Sequence, residues 1–251
     1  MKTCFDLSGR TAIVTGANTG IGQALAVALA GAGAAVLGAG RSSMAETEGM
    51  IADLHGRFAS YSADLSTIDP VDAIVDAAIS SFGSVDILVN NAGIIRRADA
   101  IDFTEADWDA VMDVNLKTAF FLSQAAAKRM IPNGRGKIIN IASMLSFQGG
   151  IRIPSYTASK SGLAGLTRLL ACEWAGKGIN VNAIAPGYFV TNNTTALRED
   201  AQRSSDILAR IPAGRWGNPE ELGGAAVFLA SDAAAYVHGT ILPVDGGWLA
   251  R

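Results

Sequence analysis

The chain contains 251 residues, 49% of them hydrophobic and 17% charged, and it carries a formal net charge of −3. This composition excludes an intrinsically disordered chain and is sufficient for one domain with a large core. Because the net charge is negative and no basic run occurs, we expect no nucleic-acid partner.

Short apolar runs alternate with helical stretches along the chain. Predicted strands lie at 10–15, 34–39, 58–62, 85–89, 136–141, 179–184 and 240–244. Predicted helices lie at 21–32, 44–54, 70–82, 105–130 (two helices in sequence), 155–175 and 219–230. This alternation predicts an α/β fold in which a doubly wound parallel sheet has helices on both faces. No linker or repeat interrupts the pattern, so we expect a single domain over 1–251.

The least regular segment, 187–217, is polar and follows the sixth predicted strand. Open parallel sheets bind their ligands beyond the carboxyl ends of the strands. The segment is therefore predicted to form a mobile lid over a substrate site.

The first predicted strand runs into a glycine-rich turn, Gly16-Ala17-Asn18-Thr19-Gly20-Ile21-Gly22, which opens the first helix. Glycine lets the backbone turn sharply and approach a pyrophosphate, and a helix start offers free N–H groups and a positive dipole end. The turn therefore predicts a phosphate cradle for a dinucleotide. The alternative is a plain strand–helix turn that needs glycine for packing.

The end of the second predicted strand bears on the choice of cofactor. Dinucleotide folds often select NAD through an acidic residue at this place. Here the strand ends in Gly38-Ala39-Gly40-Arg41, without an acid. Arg41 can pair with a 2′-phosphate and so favours NADP, although a solvated loop arginine is an equally good interpretation.

A second group of polar residues predicts proton transfer. Tyr156 and Lys160 are four apart on one predicted helix, so their side chains share a face. An ammonium beside a phenol favours the phenolate, which brings the tyrosine pKa closer to neutral pH. Ser143 follows the fifth predicted strand and is expected to hydrogen-bond the substrate oxygen. Asn115 lies within a helix, where it is expected to anchor a water relay near Lys160.

These motifs, together with Asn90-Asn91-Ala92-Gly93 and Pro186-Gly187, resemble the pattern of the short-chain dehydrogenase/reductase family over essentially the whole chain. The resemblance implies a Rossmann-type sheet of seven strands, a nicotinamide cofactor and usually a homotetramer. It assigns Tyr156 as the catalytic acid/base and Ser143 as the residue that orients the substrate. Lys160 would hold the nicotinamide ribose and lower the tyrosine pKa, and Asn115 matches the family's catalytic asparagine.

The same resemblance implies further contacts to the cofactor, NADP or NAD. The family's adenine-contacting acid after the third strand matches Asp64, which Leu65 follows. The turn over the cofactor ribose matches Asn91, Ala92 and Gly93. The region around the nicotinamide carboxamide matches Pro186, Gly187 and Thr191.

Longer runs at 91–97, 141–150, 185–188, 191–194 and 245–251 narrow the resemblance to sugar-acid dehydrogenases that act on gluconate or 2-dehydro-3-deoxy-D-gluconate. They imply an NAD(P)-dependent oxidoreductase that interconverts a secondary alcohol and a ketone on a C6 sugar acid. That sub-family is usually NAD-linked, whereas Arg41 favours NADP. The expected substrate residues are Ser143, Gln148, Arg152, Tyr156, Asn192 and Asn193, with Arg152 as the carboxylate anchor.

Two other functions stay open at this point. One is another short-chain reductase, such as a 3-oxoacyl-carrier-protein reductase or a sugar alcohol dehydrogenase. The other is a non-catalytic cofactor-sensing module, which would not need the proton donor Tyr156. Arg96 and Arg97 suit either an acyl-carrier docking patch or a sugar-acid site, or are simply solvated.

Other features of the sequence bear on the cellular location of the protein, on membrane spans and on metal sites. Two cysteines are too few for a disulfide framework, which fits a reducing compartment and predicts a cytoplasmic protein. No run approaches ~20 uncharged apolar residues, so no membrane span is expected. His55 and His238 stand apart from other ligating residues, and no metal site is expected.

The C-terminal tail ends in Gly246-Gly247-Trp248-Leu249-Ala250-Arg251. We expect the Trp248 ring to be exposed unless the tail docks on a partner subunit. In a tetramer, such docking would bury the ring and bring Arg251 near a neighbouring site.

Overall fold

The computed structural model describes residues 3–251, so Met1 and Lys2, which the predicted domain includes, lie outside the described residues. Its centre is a seven-stranded sheet in the order β3-β2-β1-β4-β5-β6-β7. All six strand pairings are parallel. Each predicted strand overlaps an observed one, and the predicted fold class is confirmed. The strands are β1 Thr11–Thr15, β2 Ala35–Gly40, β3 Arg57–Ser62, β4 Ile87–Asn90, β5 Gly136–Ile141, β6 Ile179–Pro186 and β7 Ile241–Val244.

Helices cover both faces of this sheet, so the central strands are buried throughout. Successive residues of β1 face opposite sides: Val14 belongs to one buried cluster and Ile13 to another. The Val14 cluster includes Leu25 and Leu229, and the Ile13 cluster includes Leu122. The helices are α1 Gly20–Gly31, α2 Ala45–Asp53, α3 Val71–Phe82, α4 Glu105–Met112, α5 Thr118–Met130, α6 Pro154–Trp174, α7 Thr195–Glu199, α8 Ala201–Arg210 and α9 Gly223–Ala230.

The two helices predicted in sequence at 105–130 are observed as α4 and α5, and the helical backbone continues between them. A π-helical turn at Asp113–Lys117 joins α4 to α5. Such turns widen a helix locally and are frequent at functional sites. Asn115 lies in this turn.

The segment 187–217 is more regular than its sequence suggested, because it contains α7 and α8. The Asp200 carboxylate caps α8 by accepting a hydrogen bond from the backbone N–H of Arg203 at 2.9 Å. Ile207 is the buried residue of this helix, and the other faces are polar. A helix with so narrow an apolar stripe gives a weak signal in the sequence.

The described residues contain neither a membrane-spanning helix nor a cluster of metal ligands. Within 3–251, none of the helices combines the length and the apolar character that crossing a bilayer requires. The same residues contain no group of three or more His, Cys, Asp or Glu side chains arranged to hold a metal ion.

Candidate active site

A cavity of about 830 Å³ opens at the carboxyl end of the sheet, a volume typical of small-molecule sites. Its walls include the segments that follow β1 and β4, two adjacent strands that are not consecutive in sequence. This is the position at which open parallel sheets bind their ligands. The structure brings to this cavity all the residues predicted for the catalytic, cofactor and substrate sites except Asn115 and Arg152.

The glycine turn after β1 is built for a close approach of a ligand to the backbone. Gly16 and Gly20 have φ of 67° and 57°, which other residues rarely adopt. A Cβ atom at Gly22 would overlap the carbonyl oxygen of Gly16 and the side-chain amide of Asn91. The start of α1 lines the cavity with neither a side-chain cap nor an acidic residue in its first turn. These free N–H groups and the helix dipole suit an anion.

Asn91 holds the end of β4 against the end of β1. Its Nδ2 donates to the carbonyl of Thr15 at 2.8 Å. The Thr15 hydroxyl accepts hydrogen bonds from the backbone N–H groups of Asn91 and Ala92, at 3.0 and 2.9 Å. The side-chain amide of Asn91 therefore shapes the glycine turn, and its predicted contact to the cofactor ribose stays a prediction.

The ends of β2 and β3 place a cation and an acid beside each other. The nearest guanidinium nitrogen of Arg41 lies 4.0 Å from the Asp64 carboxylate, and both side chains are more than half exposed. A hydrogen bond from the Ser66 backbone N–H is the main cause that lowers the pKa of Asp64. Arg41 contributes less to this shift, and its separation of 4.0 Å from the carboxylate is longer than a hydrogen bond, so the guanidinium remains available to a ligand in the cavity.

Lys160 is the buried cation of the site. It is 4% exposed, and its Nζ donates to the carbonyl of Ile141 at 2.6 Å. Nζ lies 5.6 Å from the centroid of the Tyr156 ring. Burial lowers the pKa of Lys160 to about 8, because the interior disfavours an ammonium.

The Tyr156 phenol faces the cavity one helical turn before Lys160. Burial raises the pKa of Tyr156, whereas a hydrogen bond with Ser143 and the charge of Arg97 lower it. Ser143 and Arg97 are therefore the groups that lower the pKa of Tyr156. The ammonium of Lys160 is directed to the backbone of β5, and its predicted effect on the tyrosine pKa stays a prediction.

Asn115 is buried in the π-helical turn and does not line the cavity. Its Oδ1 accepts from the backbone N–H of Ile94 at 2.8 Å, and its Nδ2 donates to the carbonyl of Ile94 at 3.0 Å. Nδ2 also donates to the Ser159 hydroxyl at 3.3 Å. Asn115 therefore fixes the segment after β4 that forms a wall of the cavity. Its predicted part in a water relay stays a prediction.

The structure corrects the predicted carboxylate anchor. Gln148, Asn192 and Asn193 line the cavity, but Arg152 does not. The guanidinium of Arg152 pairs with the carboxylate of Asp99 at 3.1 Å, and the residue has φ of 64° in an exposed loop.

Three other arginines line the cavity instead: Arg97, Arg203 and Arg210. Arg97 is adjacent to Arg96, which pairs with Asp107 at 3.1 Å. Arg203 and Arg210 were missed because α8 was not predicted. Residues 203, 206, 207 and 210 have the spacing of one helical face, and this spacing after the cap Asp200 is the signal that could have revealed them.

The C-terminal tail packs within its own chain, which corrects the expected exposure of Trp248. The ring is 4% exposed and lies 4.8 Å from the Tyr188 ring, centroid to centroid. Its Nε1 donates to the Gln148 side chain at 3.3 Å. Arg251 donates to the carbonyl of Ala209 at 2.8 Å, at the end of α8. A partner subunit is not needed to cover this ring.

The chain is similar over its length to known dehydrogenases and reductases. The protein-family profile described as enoyl-(acyl carrier protein) reductase matches residues 16–249. A 2-dehydro-3-deoxy-D-gluconate 5-dehydrogenase of Escherichia coli (strain K12) is 60% identical over 250 residues, 99% of each chain. The crystal structure of a candidate 2-deoxy-D-gluconate 3-dehydrogenase from Agrobacterium tumefaciens, with bound NADP, has a TM-score of 0.95 and 62% identity over 100% of both chains. A gluconate 5-dehydrogenase from Burkholderia cenocepacia J2315, in complex with NADP and tartrate, has a TM-score of 0.93 and 43% identity over 98% of both chains.

Proposed function

The chain belongs to the short-chain dehydrogenase/reductase family, and from this premise we propose that it interconverts a secondary alcohol and a ketone on a gluconate-type sugar acid, with NADP preferred over NAD. It is an NAD(P)-dependent oxidoreductase acting on CH–OH groups, as are the dehydrogenases that it resembles. The proposal also includes the substrate, the preferred cofactor and the role of each residue in the site.

The charge of the cavity lining supports an anionic substrate. Five cationic and two acidic side chains line the cavity, although the whole chain has a net charge of −3. Arg41 and Asp64 belong to the end near the glycine turn. The rest of the lining contains Lys160 and three arginines but only one carboxylate, that of Asp206. A neutral sugar alcohol would leave these cations without a partner, whereas the carboxylate of a sugar acid provides one.

The proton-transfer residues fit this chemistry. Tyr156 donates a proton to the carbonyl oxygen during reduction and takes it back during oxidation. Ser143 donates a hydrogen bond to the same oxygen and fixes its position against the phenol. The buried charge of Lys160 favours the phenolate when the ammonium turns from Ile141 towards the ring.

The cofactor site is formed by the glycine turn, the uncapped start of α1 and Arg41. The backbone of the glycine turn, which lines the cavity at Gly16 and Gly20, and the free N–H groups of α1 fit a pyrophosphate. A bound nicotinamide cofactor supplies or accepts the hydride. Arg41, with no acid at Gly40, suits the additional 2′-phosphate of NADP, and the A. tumefaciens and B. cenocepacia structures are described with NADP.

The remaining assignments of this proposal follow the family resemblance. The segment 187–217, with α7 and α8, acts as a lid that closes over the substrate. The protein works as a cytoplasmic homotetramer without a nucleic-acid partner. Sedimentation of the purified protein tests the tetramer, and a dimer or monomer at assay concentrations would reject it.

A substrate panel tests the function. The protein is assayed with D-gluconate and 2-dehydro-3-deoxy-D-gluconate, with their keto products, with D-glucitol and with a 3-oxoacyl thioester, each with NADP and NAD. We expect kcat/KM for one of the sugar acids to exceed that for D-glucitol at least tenfold. A higher kcat/KM for the thioester would instead favour the alternative function of a 3-oxoacyl-carrier-protein reductase, the activity for which a relative of 39% identity over 244 residues is named.

A further inference from the structure

We propose that Arg210 of α8 anchors the substrate carboxylate, and that Trp248 and Gln148 hold its guanidinium in the orientation that this requires. This inference rests on the proposed function, because it takes the substrate to be a sugar acid. It replaces Arg152, which the structure places outside the cavity.

The Arg210 guanidinium is supported on two sides. Its central carbon lies 4.1 Å from the centroid of the Trp248 ring, which is the geometry of a cation–π contact. One terminal nitrogen lies 3.5 Å from Oε1 of Gln148, and this same oxygen accepts a hydrogen bond from the Trp248 indole at 3.3 Å. An arginine that is already oriented loses less side-chain entropy when it binds a ligand.

Arg210 has no carboxylate partner within 4.0 Å among residues 3–251, in contrast to Arg152 and Arg215. Arg152 and Arg215 each have a carboxylate within 3.1 Å. Asp206 lies one turn before Arg210 and would be its usual helical partner. The Asp206 carboxylate instead accepts from Nε2 of Gln202 at 2.9 Å. The forked donors of Arg210 therefore remain available for a carboxylate, which they can bind in a bidentate manner.

The position of Arg210 suits the end of the substrate remote from the reacting carbon. Arg97 lines the cavity together with Tyr156, its guanidinium donates to the carbonyl of Asn193 at 3.4 Å, and its charge lowers the pKa of the tyrosine. The charges of Arg203 and Arg210 instead lower the pKa of Tyr188, which burial raises. A sugar acid whose carbonyl contacts Tyr156 thus directs its carboxylate towards α8. Of the two α8 arginines, Arg210 is the one with a fixed orientation.

The C-terminal tail holds this arrangement together. The Asp245 carboxylate accepts hydrogen bonds from the backbone N–H groups of Gly247 and Leu249, both at 2.9 Å. Gly247 has φ of 89°, which lets the tail turn and direct Trp248 under α8. Arg251 then binds the Ala209 carbonyl, a frequent role for a basic residue at a helix end. The tail therefore packs against α8 and fixes the position of the helix that carries Arg210.

The experiment measures KM and kcat of Arg210→Gln with the sugar acid that wild type turns over and with D-glucitol as its neutral counterpart. We expect KM for the acid to rise roughly tenfold to a hundredfold, with kcat and the KM for D-glucitol changed less than about threefold. Arg129→Gln is the matched control, because Arg129 pairs with Asp76 on the surface and does not line the cavity. Arg152→Gln should behave like this control.

Two further readouts separate the outcomes. If Arg210→Gln does not fold, Arg210→Lys keeps the charge, loses the bidentate fork and should still raise KM for the acid selectively. Equal KM changes for the acid and D-glucitol, or a selective effect of Arg152→Gln alone, would overturn the role of Arg210. A wild-type enzyme that does not prefer sugar acids would reject the proposed function itself, and this is seen before any variant is made.

Discussion

Replacing Lys160 with methionine should make the cofactor-free protein more stable at neutral pH while it removes activity. Lys160 is almost fully buried, and among residues 3–251 its ammonium donates one hydrogen bond, to the carbonyl of Ile141. Within the described chain, no carboxylate lies within 4.0 Å of its ammonium. A buried, unpaired charge costs stability, whereas methionine has a similar length and no charge.

The pKa of the lysine gives the magnitude. Burial lowers it from 10.5 to about 8. At about 1.4 kcal/mol for each unit of pKa, this corresponds to a cost of about 3 kcal/mol for keeping the ammonium charged in the folded state. The hydrogen bond to Ile141 is lost in the variant, which offsets about 1–2 kcal/mol. We therefore expect Lys160→Met to be more stable than wild type by about 1–2 kcal/mol at pH 7.

The gain in stability of Lys160→Met over wild type should decrease as the pH rises. Between pH 8 and 10.5 the unfolded lysine binds more protons than the folded one, so the stability of wild type rises with pH in this window. Below pH 8 both states carry the charge and the cost is constant. The advantage of Lys160→Met should thus be complete at pH 7, shrink above pH 8 and give way by pH 10.5 to a deficit of about 1–2 kcal/mol, because the loss of the hydrogen bond to Ile141 remains.

Thermal melts of the cofactor-free proteins at pH 7, 8, 9 and 10 measure this difference. We expect the variant to melt about 2–6 °C above wild type at pH 7. Lys128→Met, at an exposed position of α5, is the control and should show no comparable, pH-dependent gap. A Lys160→Met protein that melts at or below wild type at pH 7, or a gap that is the same at pH 7 and 10, would refute the argument.

Three other substitutions probe the proton donor, the choice of cofactor and the glycine turn. Tyr156→Phe should lower kcat by about 100-fold or more and leave NADPH affinity, followed by fluorescence titration, within about threefold; more than a tenth of wild-type activity would contradict its role. Arg41→Ala should lower the ratio of kcat/KM for NADP over NAD about tenfold, whereas an unchanged ratio would make Arg41 a bystander. Gly22→Ala should abolish NADPH binding in the same titration, because the added methyl group overlaps the carbonyl of Gly16; binding within threefold of wild type would show that the turn can shift.

The parts of the fold and site that could be predicted depend on local spacing. The run from β1 into the glycine turn and α1 has a strand, a left-handed Gly16 and a helix start in immediate succession, and the sequence pattern reports each of them. Tyr156 and Lys160 occupy one face of α6 because four residues make about one helical turn. Ser143 follows a buried strand, and strand ends meet at one edge of a parallel sheet.

The parts that could not be predicted depend on where long side chains point in space. Arg152 and Arg210 are both arginines in polar segments, and the helical spacing around Arg210 does not show which of the two side chains reaches the cavity. The carboxylate of Asp99 takes Arg152 away from the cavity, and Trp248, 38 residues further along the chain, holds Arg210 in it. Trp248 itself appeared exposed because its partners Tyr188 and Ile207 lie in a segment without a clear pattern.

The distribution of charge connects the stability of this protein with its proposed activity. The chain is acidic as a whole, yet its cavity carries an excess of three positive charges. Lys160 bears a cost of burial, and Arg97, Arg203 and Arg210 lack carboxylate partners within 4.0 Å in the part of the chain that the structure describes. Positive charge concentrated in a low-dielectric cleft attracts anions and accelerates their association. The phosphates of the cofactor and the carboxylate of a sugar acid would offset the repulsion among these groups, so an arrangement that is unfavourable for the empty protein favours the complex with both ligands.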